Sequence, residues 1–131
     1  MAFEWHQFLD VARKLQQEAV SSKNDTEAFQ RSAVGRAYYA AFCHARNYAV
    51  RYLGYDIKGF GDHHGAVRAH LKKRRRNGDA ARLDMLRQWR NEADYADDLP
   101  WDDPTAMVRD AITAAERVFA SLTPPASSTG S

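Results

Sequence analysis

The longest regular pattern in the sequence is a run of apolar residues between positions 26 and 53 that recur at spacings of three and four. An α-helix turns by about 100° per residue, so this spacing places the apolar side chains on one face of a helix. Gly54 follows the run and is of the type that commonly ends a helix. The pattern predicts a long helix at the centre of the fold. Its apolar face consists of Val34, Ala37, Tyr38, Ala41, Ala45, Tyr48, Ala49 and Tyr52.

Four further segments repeat apolar residues with the same period, which predicts four more helices. A predicted loop of residues 55–61 contains two glycines and separates the long helix from the next one. The four predicted helices span residues 3–20, 64–76, 80–95 and 104–122.

Local signals set the boundaries of these helices. Asp62 is a candidate N-cap for the third helix, and the dipeptide Asn77-Gly78 favours a turn between the third and the fourth. Asp103 followed by Pro104 is typical of a helix N-terminus, since proline at the first helical position loses no hydrogen bond. The prolines at 124–125 end the fifth helix.

Short connections between helices favour antiparallel neighbours. We therefore expect an all-α fold, an up-and-down helical bundle of four main helices plus one shorter helix. The bundle should comprise residues 1–123 as one domain, because a chain of 131 residues buries a core without metal or disulfide support. The Ala/Ser/Gly-rich segment 124–131 is expected to be a disordered tail.

Composition restricts the function classes. Cys43 is the only cysteine and cannot form an internal disulfide, which favours a reducing cytoplasmic compartment. No apolar run approaches the length of about 18 residues that indicates a membrane span, so we expect no membrane association. The net charge of +2 excludes a histone-like polycation. Charge is nevertheless uneven, with a basic run at residues 72–76 and an acidic stretch at residues 92–103.

Two groups of polar residues are candidates for a functional site. The first lies on the long helix opposite its apolar face and has two interpretations, a solvent-exposed side or one wall of a cleft. The second is the run at positions 90–95, in which Arg90 and Asp94 share a helix face and can form a surface ion pair. The first group consists of Arg36, Ala40, Cys43, His44, Asn47 and Arg51.

Two motifs carry a resemblance to a known family. The run RSAVGRAYYAAF at residues 31–42 resembles the second-helix signature of HEPN domains. The run RNEADY at residues 90–95 is similar to their Arg-Asn-x-Ala-Asp-Tyr segment. The order and separation of the motifs also match, and the resemblance covers about residues 5–122.

The resemblance implies a homodimer in which the fourth helices of both subunits line one composite cleft. Many HEPN proteins are metal-independent ribonucleases, often toxins paired with a minimal nucleotidyltransferase antitoxin or components of phage defence. In those members an arginine, the polar residue after it and a histidine five positions beyond the arginine carry the reaction. The corresponding positions here are Arg90, Asn91 and Tyr95, so a tyrosine stands where the family has its histidine.

This departure bears directly on catalysis. A phenol with a pKa of about 10 is protonated at neutral pH, so it donates a hydrogen bond but is a poor base. His44, on the long helix, is the candidate to replace the missing imidazole. The sequence thus leaves open whether the chain is an enzyme.

The basic run offers a further candidate contact with RNA. Its residues Lys72, Lys73 and Arg75 can follow a phosphate backbone. Positive charge at a helix C-terminus is also favourable without any ligand, because it opposes the helix dipole. His63, His64 and His70 lack the i, i+4 pairing of helical zinc sites, so we expect neither a metal site nor a cofactor.

The leading hypothesis is a cytoplasmic dimer of HEPN type that binds RNA or a nucleotide in a cleft between its subunits. It is a candidate metal-independent endoribonuclease that leaves a cyclic phosphate. The alternative is a non-catalytic dimerisation or partner-binding module built on the aromatic residues Tyr38, Tyr39, Phe42 and Trp89. In the leading hypothesis the cleft is lined by Arg36, His44, Arg90, Asn91, Asp94 and Tyr95.

Overall fold

A computed structural model of the protein describes residues 2–57 and 63–125, and within these ranges all regular structure is α-helical. The prediction of an all-α helical bundle is thereby confirmed. No helix in the described ranges has the length and apolar character needed to cross a membrane. The helices are α1 (His6–Ser21), α2 (Thr26–Tyr52), α3 (His64–Lys73), α4 (Asn77–Tyr95) and α5 (Pro104–Ser121).

Helix α2 is the centre of the bundle and packs against each of the other four helices. Its small residues allow this close approach, because a methyl side chain lets two helix backbones come near each other. The fully buried alanines of α2 are Ala33, Ala37, Ala40, Ala41, Ala45 and Ala49.

The polar arc predicted on α2 is not a single solvent-exposed face. Ala40 and Cys43, at its middle, are buried. Arg36 at one end places its guanidinium 4.9 Å from the ring centre of Phe8 on α1. His44 contacts α5, so two neighbouring helices divide the arc between them. Neither interpretation of the arc holds for its middle, where Ala40 and Cys43 are buried, whereas Arg36, Asn47 and Arg51 are exposed.

The connection between α3 and α4 also differs from the prediction. The chain turns at Arg75, whose φ of 64° is left-handed. The Arg75 N–H donates to Lys72 O at 3.0 Å and the Arg76 N–H donates to Leu71 O at 2.7 Å. This pair of bonds is a Schellman motif, which ends α3 at Lys73 rather than at residue 76. The dipeptide at 77–78 therefore lies in the first turn of α4, and the turn predicted there was wrong.

Side chains hold the ends of α4 and α5. Asp79 is buried near the start of α4 and accepts a hydrogen bond of 2.7 Å from the Ser121 hydroxyl at the end of α5. The Asp103 carboxylate accepts a bond of 3.1 Å from the Ala106 N–H, which confirms the predicted N-cap of α5. The end of α5 before the prolines at 124–125 is likewise confirmed.

The acidic segment after α4 is attached to the bundle. The Arg31 guanidinium donates to the carbonyl oxygens of Ala93 at 3.1 Å, Ala96 at 2.6 Å and Asp97 at 3.2 Å. The buried Trp101 donates its indole N–H to the Glu92 carboxylate at 2.8 Å. The predictions for Asp62 as a cap, for part of the loop at 55–61 and for the tail beyond 125 concern positions outside the described residues.

Candidate functional site

Two aromatic rings of α2, those of Tyr38 and Phe42, stack against His64 at the start of α3. The imidazole stacks on Phe42 with ring centres 4.0 Å apart, and its ring centre lies 5.3 Å from that of Tyr38. The plane of the imidazole makes a similar angle with both rings. Its Nδ1 shares a hydrogen bond with the hydroxyl of the buried Tyr38. Tyr38 and Phe42 are four residues apart, so both point from the same side of α2 toward α3. These contacts fix the plane of the imidazole.

Helix α4 runs antiparallel to α2 along a stripe of contacts spaced four residues apart. Arg31 binds the carbonyl of Ala93, and a Cβ built on Gly35 would lie 3.8 Å from Oδ1 of Asp94. One helical turn further, the Arg90 guanidinium donates to the Tyr39 hydroxyl at 2.5 Å. The segments 31–42 and 90–95 therefore contact each other at three positions of α2, one per helical turn.

Arg90 connects most of the polar groups at 90–95. Its Nη1 donates to Asn91 Oδ1 at 3.1 Å, and its Nε lies 2.9 Å from Asp94 Oδ2. The Nε–H does not point at that oxygen, so this pair is held by charge rather than by a linear hydrogen bond. The guanidinium also lies 5.0 Å from the ring centre of Tyr39 and 5.8 Å from that of Tyr95. Four of the predicted site residues, 90, 91, 94 and 95, are thus in one place.

Burial and nearby arginines both act on the charge of His64. Burial and, after it, the guanidinium groups of Arg87, Arg90 and Arg68 lower the pKa of His64 to about 4. Both effects disfavour the imidazolium, so the ring is neutral at pH 7. We call the seven residues that meet here the His64 cluster: Tyr38, Tyr39, Phe42, His64, Arg68, Arg87 and Arg90.

Arg68 has a hydrogen-bond donor available in this cluster. Its Nε lies 3.3 Å from Asp84 Oδ1, but its Nη1 is buried and has no hydrogen-bond partner among the described residues. A buried guanidinium donor without a partner is uncommon in folded proteins, because the lost hydration is not replaced. Such a donor suits an anionic oxygen.

The other predicted site residues lie elsewhere. His44 is two residues beyond Phe42 and therefore about 200° around α2 from it. Its ring stacks on Phe119 of α5 at 4.2 Å, and its Nε2–H donates to Leu122 O at 2.7 Å. Burial lowers the pKa of His44 more than the Leu122 bond raises it. Arg36 contacts α1 as described above, and the predicted RNA contacts Lys72, Lys73 and Arg75 are exposed near the C-terminal end of α3.

Sequence reasoning assigned no role to His64 beyond a rejected metal site. Periodicity places a residue on its own helix but does not say which neighbour that helix packs against. A usable signal was present in the aromatic pair Tyr38 and Phe42, which marks a flat apolar surface on α2 where α3 packs. Arg68 was a second signal, because it lies one helical turn beyond His64 and so shares its helix face.

No protein-family model matches the chain, and a search of curated proteins returns no match. The chemistry of the His64 cluster has to be inferred from its own residues.

Proposed function

We propose that the chain is a HEPN-type protein that works as a homodimer and binds an RNA phosphate at the His64 cluster. The observation that carries this proposal is the convergence of three arginines on a neutral imidazole. A phosphate oxygen is the complementary group, because it accepts charge-assisted hydrogen bonds from guanidinium groups. Arg68 supplies an available donor through Nη1.

The family resemblance supports the same site. The segments 31–42 and 90–95 are far apart in sequence, yet they meet through Arg31, Gly35 and Tyr39 on α2. Arg90 sits at this meeting point, and Tyr95 beside it keeps 73% of its surface exposed. An exposed aromatic ring next to a phosphate site is suited to stack on a base.

Binding is tested by fluorescence anisotropy with an unstructured, fluorescein-labelled RNA decamer in excess EDTA. We expect Arg68→Ala to weaken binding about tenfold and to reduce the slope of log K against log salt by about 0.7, the value for one phosphate of a single strand. Arg109→Ala is the matched control, because Arg109 also pairs with a surface aspartate, Asp110, at 3.6 Å. Equal affinity of the wild type and both variants would remove the proposed phosphate site.

Cleavage of the bound RNA is a second candidate function, favoured by the position of His64. Attack of a 2′-oxygen on the adjacent phosphorus expels the 5′-oxygen and leaves a 2′,3′-cyclic phosphate. The 2′-hydroxyl proton must be accepted and the departing oxygen must be protonated. A phosphate bound beside the ring raises the pKa of His64 above about 4, because its negative charge offsets that of the arginines, while burial, the larger cause, still favours the neutral ring that can accept a proton.

The cleavage proposal is tested with the same decamer, followed by mass spectrometry of the products. We expect cyclic phosphate ends in EDTA and a loss of about 10²–10⁴ in rate for His64→Gln. A decamer with 2′-deoxyribose throughout should remain intact. Residual cleavage that is equal in the wild type and His64→Gln would identify a contaminating nuclease and contradict this role of His64.

The dimer is proposed to form through α4, which exposes two large apolar side chains, Met85 at 40% and Tyr95 at 73%. Light scattering after gel filtration should give about twice the chain mass of 14.9 kDa. A mass equal to one chain at the concentrations used for RNA binding would contradict a cleft shared by two subunits. The His64 cluster itself lies within one chain and would then act alone.

A further inference from the structure

A concave surface lies between the start of α1 and the end of α2. It is an open groove of about 580 Å³. Phe3 is 48% exposed and Tyr52 37% exposed, although large apolar side chains are usually buried. Exposed aromatic rings grouped in a surface groove often mark a binding site. We call this surface the aromatic groove and define it by the rings that line it: Phe3, Trp5, Tyr48, Tyr52 and Phe119.

The rings of the aromatic groove support one another. Phe3 and Trp5 pack edge to face with ring centres 4.8 Å apart. The buried Tyr48 lies 4.9 Å from Tyr52 and backs this partly exposed ring. Ring orientation is therefore set by packing within the chain before any ligand arrives, which lowers the entropy lost on binding.

Three arginines lie close to these rings, and one carboxylate, that of Glu4, also lines the groove and pairs with His6 at 3.5 Å. Arg51 and Asn47 line the groove beside the aromatic residues. The guanidinium of Arg46 lies 5.9 Å from the ring centre of Trp5. The guanidinium of Arg76 lies 5.8 Å from the ring of Tyr48 and donates a bond of 3.4 Å to its hydroxyl.

Arg76 also joins the groove to the basic run. The four residues that precede it are exposed, and none of them forms an ion pair with a carboxylate of the described residues. A helix dipole accounts for one or two positive charges at the end of α3 but gives no reason for the contact of Arg76 with Tyr48. The four residues are Lys72, Lys73, Arg74 and Arg75.

We propose that the aromatic groove and the adjoining basic run bind single-stranded nucleic acid. Bases stack on the exposed rings, and Arg51, Arg76 and the basic run contact the phosphates. Sites that bind single strands combine these two elements, a positively charged path for the backbone and aromatic side chains for the bases. Tyr52 lies ten residues beyond Phe42 on α2, about 15 Å along the helix axis, so this surface is separate from the His64 cluster.

The charges favour a polyanion over an apolar peptide. A groove for an amphipathic helix presents a continuous apolar floor, whereas here Asn47 and Arg51 lie among the rings. Asn47 is exposed and its amide can bond to the edge of a base. The cations around Trp5 and Tyr48 would lose hydration against an apolar ligand without any compensating charge.

The test uses a fluorescein-labelled DNA hexamer of deoxyadenosine, which cannot be cleaved through a 2′-hydroxyl. Binding is measured by anisotropy at three salt concentrations in EDTA. Tyr52→Leu removes the ring and keeps an apolar side chain, whereas Tyr52→Phe keeps the ring and is the matched control. We expect at least about tenfold weaker binding for Tyr52→Leu and less than about twofold for Tyr52→Phe, as stacking on one base predicts.

Two further variants, Arg51→Ala and Arg68→Ala, are measured with the same hexamer. Arg51 is exposed, so its removal should leave folding intact and reduce the salt slope by about 0.7. Arg68→Ala removes the donor of the His64 cluster and should leave most of the hexamer affinity. Circular dichroism checks the folding of each variant. If Tyr52→Leu does not fold, the slope of log K against log salt for Arg51→Ala tests the proposal instead.

Three results would overturn the proposal. The first is no binding of the hexamer by the wild type. The second is equal binding by Tyr52→Leu and Tyr52→Phe together with an unchanged salt slope for Arg51→Ala. The third is a loss of binding confined to Arg68→Ala, which would assign all nucleic-acid affinity to the His64 cluster. If only the RNA binding proposed for the His64 cluster fails, the proposal for the aromatic groove still stands.

Discussion

The Arg90 guanidinium on α4 lies over the ring of Tyr39 on α2 and donates a hydrogen bond to its hydroxyl. The two residues are 51 positions apart in sequence, and they belong to the two segments that carry the family resemblance. The contact orients Arg90 in the absence of ligand. It also occupies Nη2, which a phosphate would have to share with the Tyr39 hydroxyl.

Tyr39→Phe separates these two effects. The ring stays, but the bond to Arg90 is lost, so we expect a fall of about 1 kcal/mol in the free energy of unfolding. Because Nη2 no longer has a competing acceptor, we also expect RNA to bind more tightly. Urea unfolding and anisotropy with the RNA decamer measure the two quantities. Tyr39→Leu, which removes the ring as well, should lose both stability and affinity, whereas weaker RNA binding by Tyr39→Phe would mean that the hydroxyl itself contacts the ligand.

Stability should depend on pH through His64. Burial and the neighbouring arginines lower the pKa of His64 to about 4 in the folded chain, against about 6.5 for a histidine in an unfolded chain. Between these values the unfolded chain binds more protons, so the contribution is complete above pH 6.5 and is lost as the pH falls toward 4. His44, whose pKa is also lowered by burial, contributes in the same direction.

His64→Phe provides the measurement for this prediction. Phenylalanine keeps a flat ring against Phe42 and does not titrate, so the drop in the urea midpoint between pH 7 and pH 5 should be smaller than in the wild type. His44→Phe is the parallel variant for the second histidine. An identical drop in the wild type and His64→Phe would show that the imidazole does not carry the pH dependence.

The stability of the protein should increase when Arg75, the left-handed residue after α3, is replaced by glycine. Arg75 adopts φ 64°, a conformation that glycine reaches without a steric cost from Cβ. We expect Arg75→Gly to raise the free energy of unfolding by about 0.5–1 kcal/mol, because relief of about 1–2 kcal/mol of side-chain strain is partly offset by the greater conformational entropy that glycine loses on folding. Arg74→Gly, at the preceding residue with φ −94°, is the control and should destabilise the chain. A loss of stability in Arg75→Gly would indicate that its side chain makes a stabilising contact.

The acidic segment after α4 should depend on Arg31. Lysine at this position keeps the charge but cannot donate to three carbonyl oxygens in one plane. We expect Arg31→Lys to cost about 1–2 kcal/mol and to speed amide hydrogen exchange in residues 97–103. Arg109→Lys, at an exposed site, should change neither quantity. Unchanged exchange in Arg31→Lys would mean that the bond between Trp101 and Glu92 holds the segment without help.

The fold class was predictable because each helix repeats its apolar residues with a helical period. The packing of other helices around α2 was less predictable from the sequence. Ala40 and Cys43 fell in an arc with Arg36 and His44, and small residues give little indication of burial on their own. Their burial follows from packing by α1 and α5, which the sequence of α2 does not describe.

The candidate site likewise has one part that the sequence predicts and one part that it does not. Arg90, Asn91 and Asp94 are together because they occupy neighbouring turns of one helix, which local spacing predicts. His64 joins them only through the packing of α3 on α2, a tertiary contact. The sequence pointed to His44 as the imidazole beside Arg90, whereas the structure places His64 within reach of the arginines and His44 against Phe119.

The alanines at the centre of the bundle limit how this protein can evolve. Ala33, Ala37 and Ala41 have no accessible surface, and α2 touches every other helix, so a bulkier residue at these positions must displace a whole helix rather than a loop. Such a displacement would alter the spacing between Tyr39 and Arg90. Sequence divergence should therefore concentrate on the outer surfaces of the bundle, while these three positions change only among small residues.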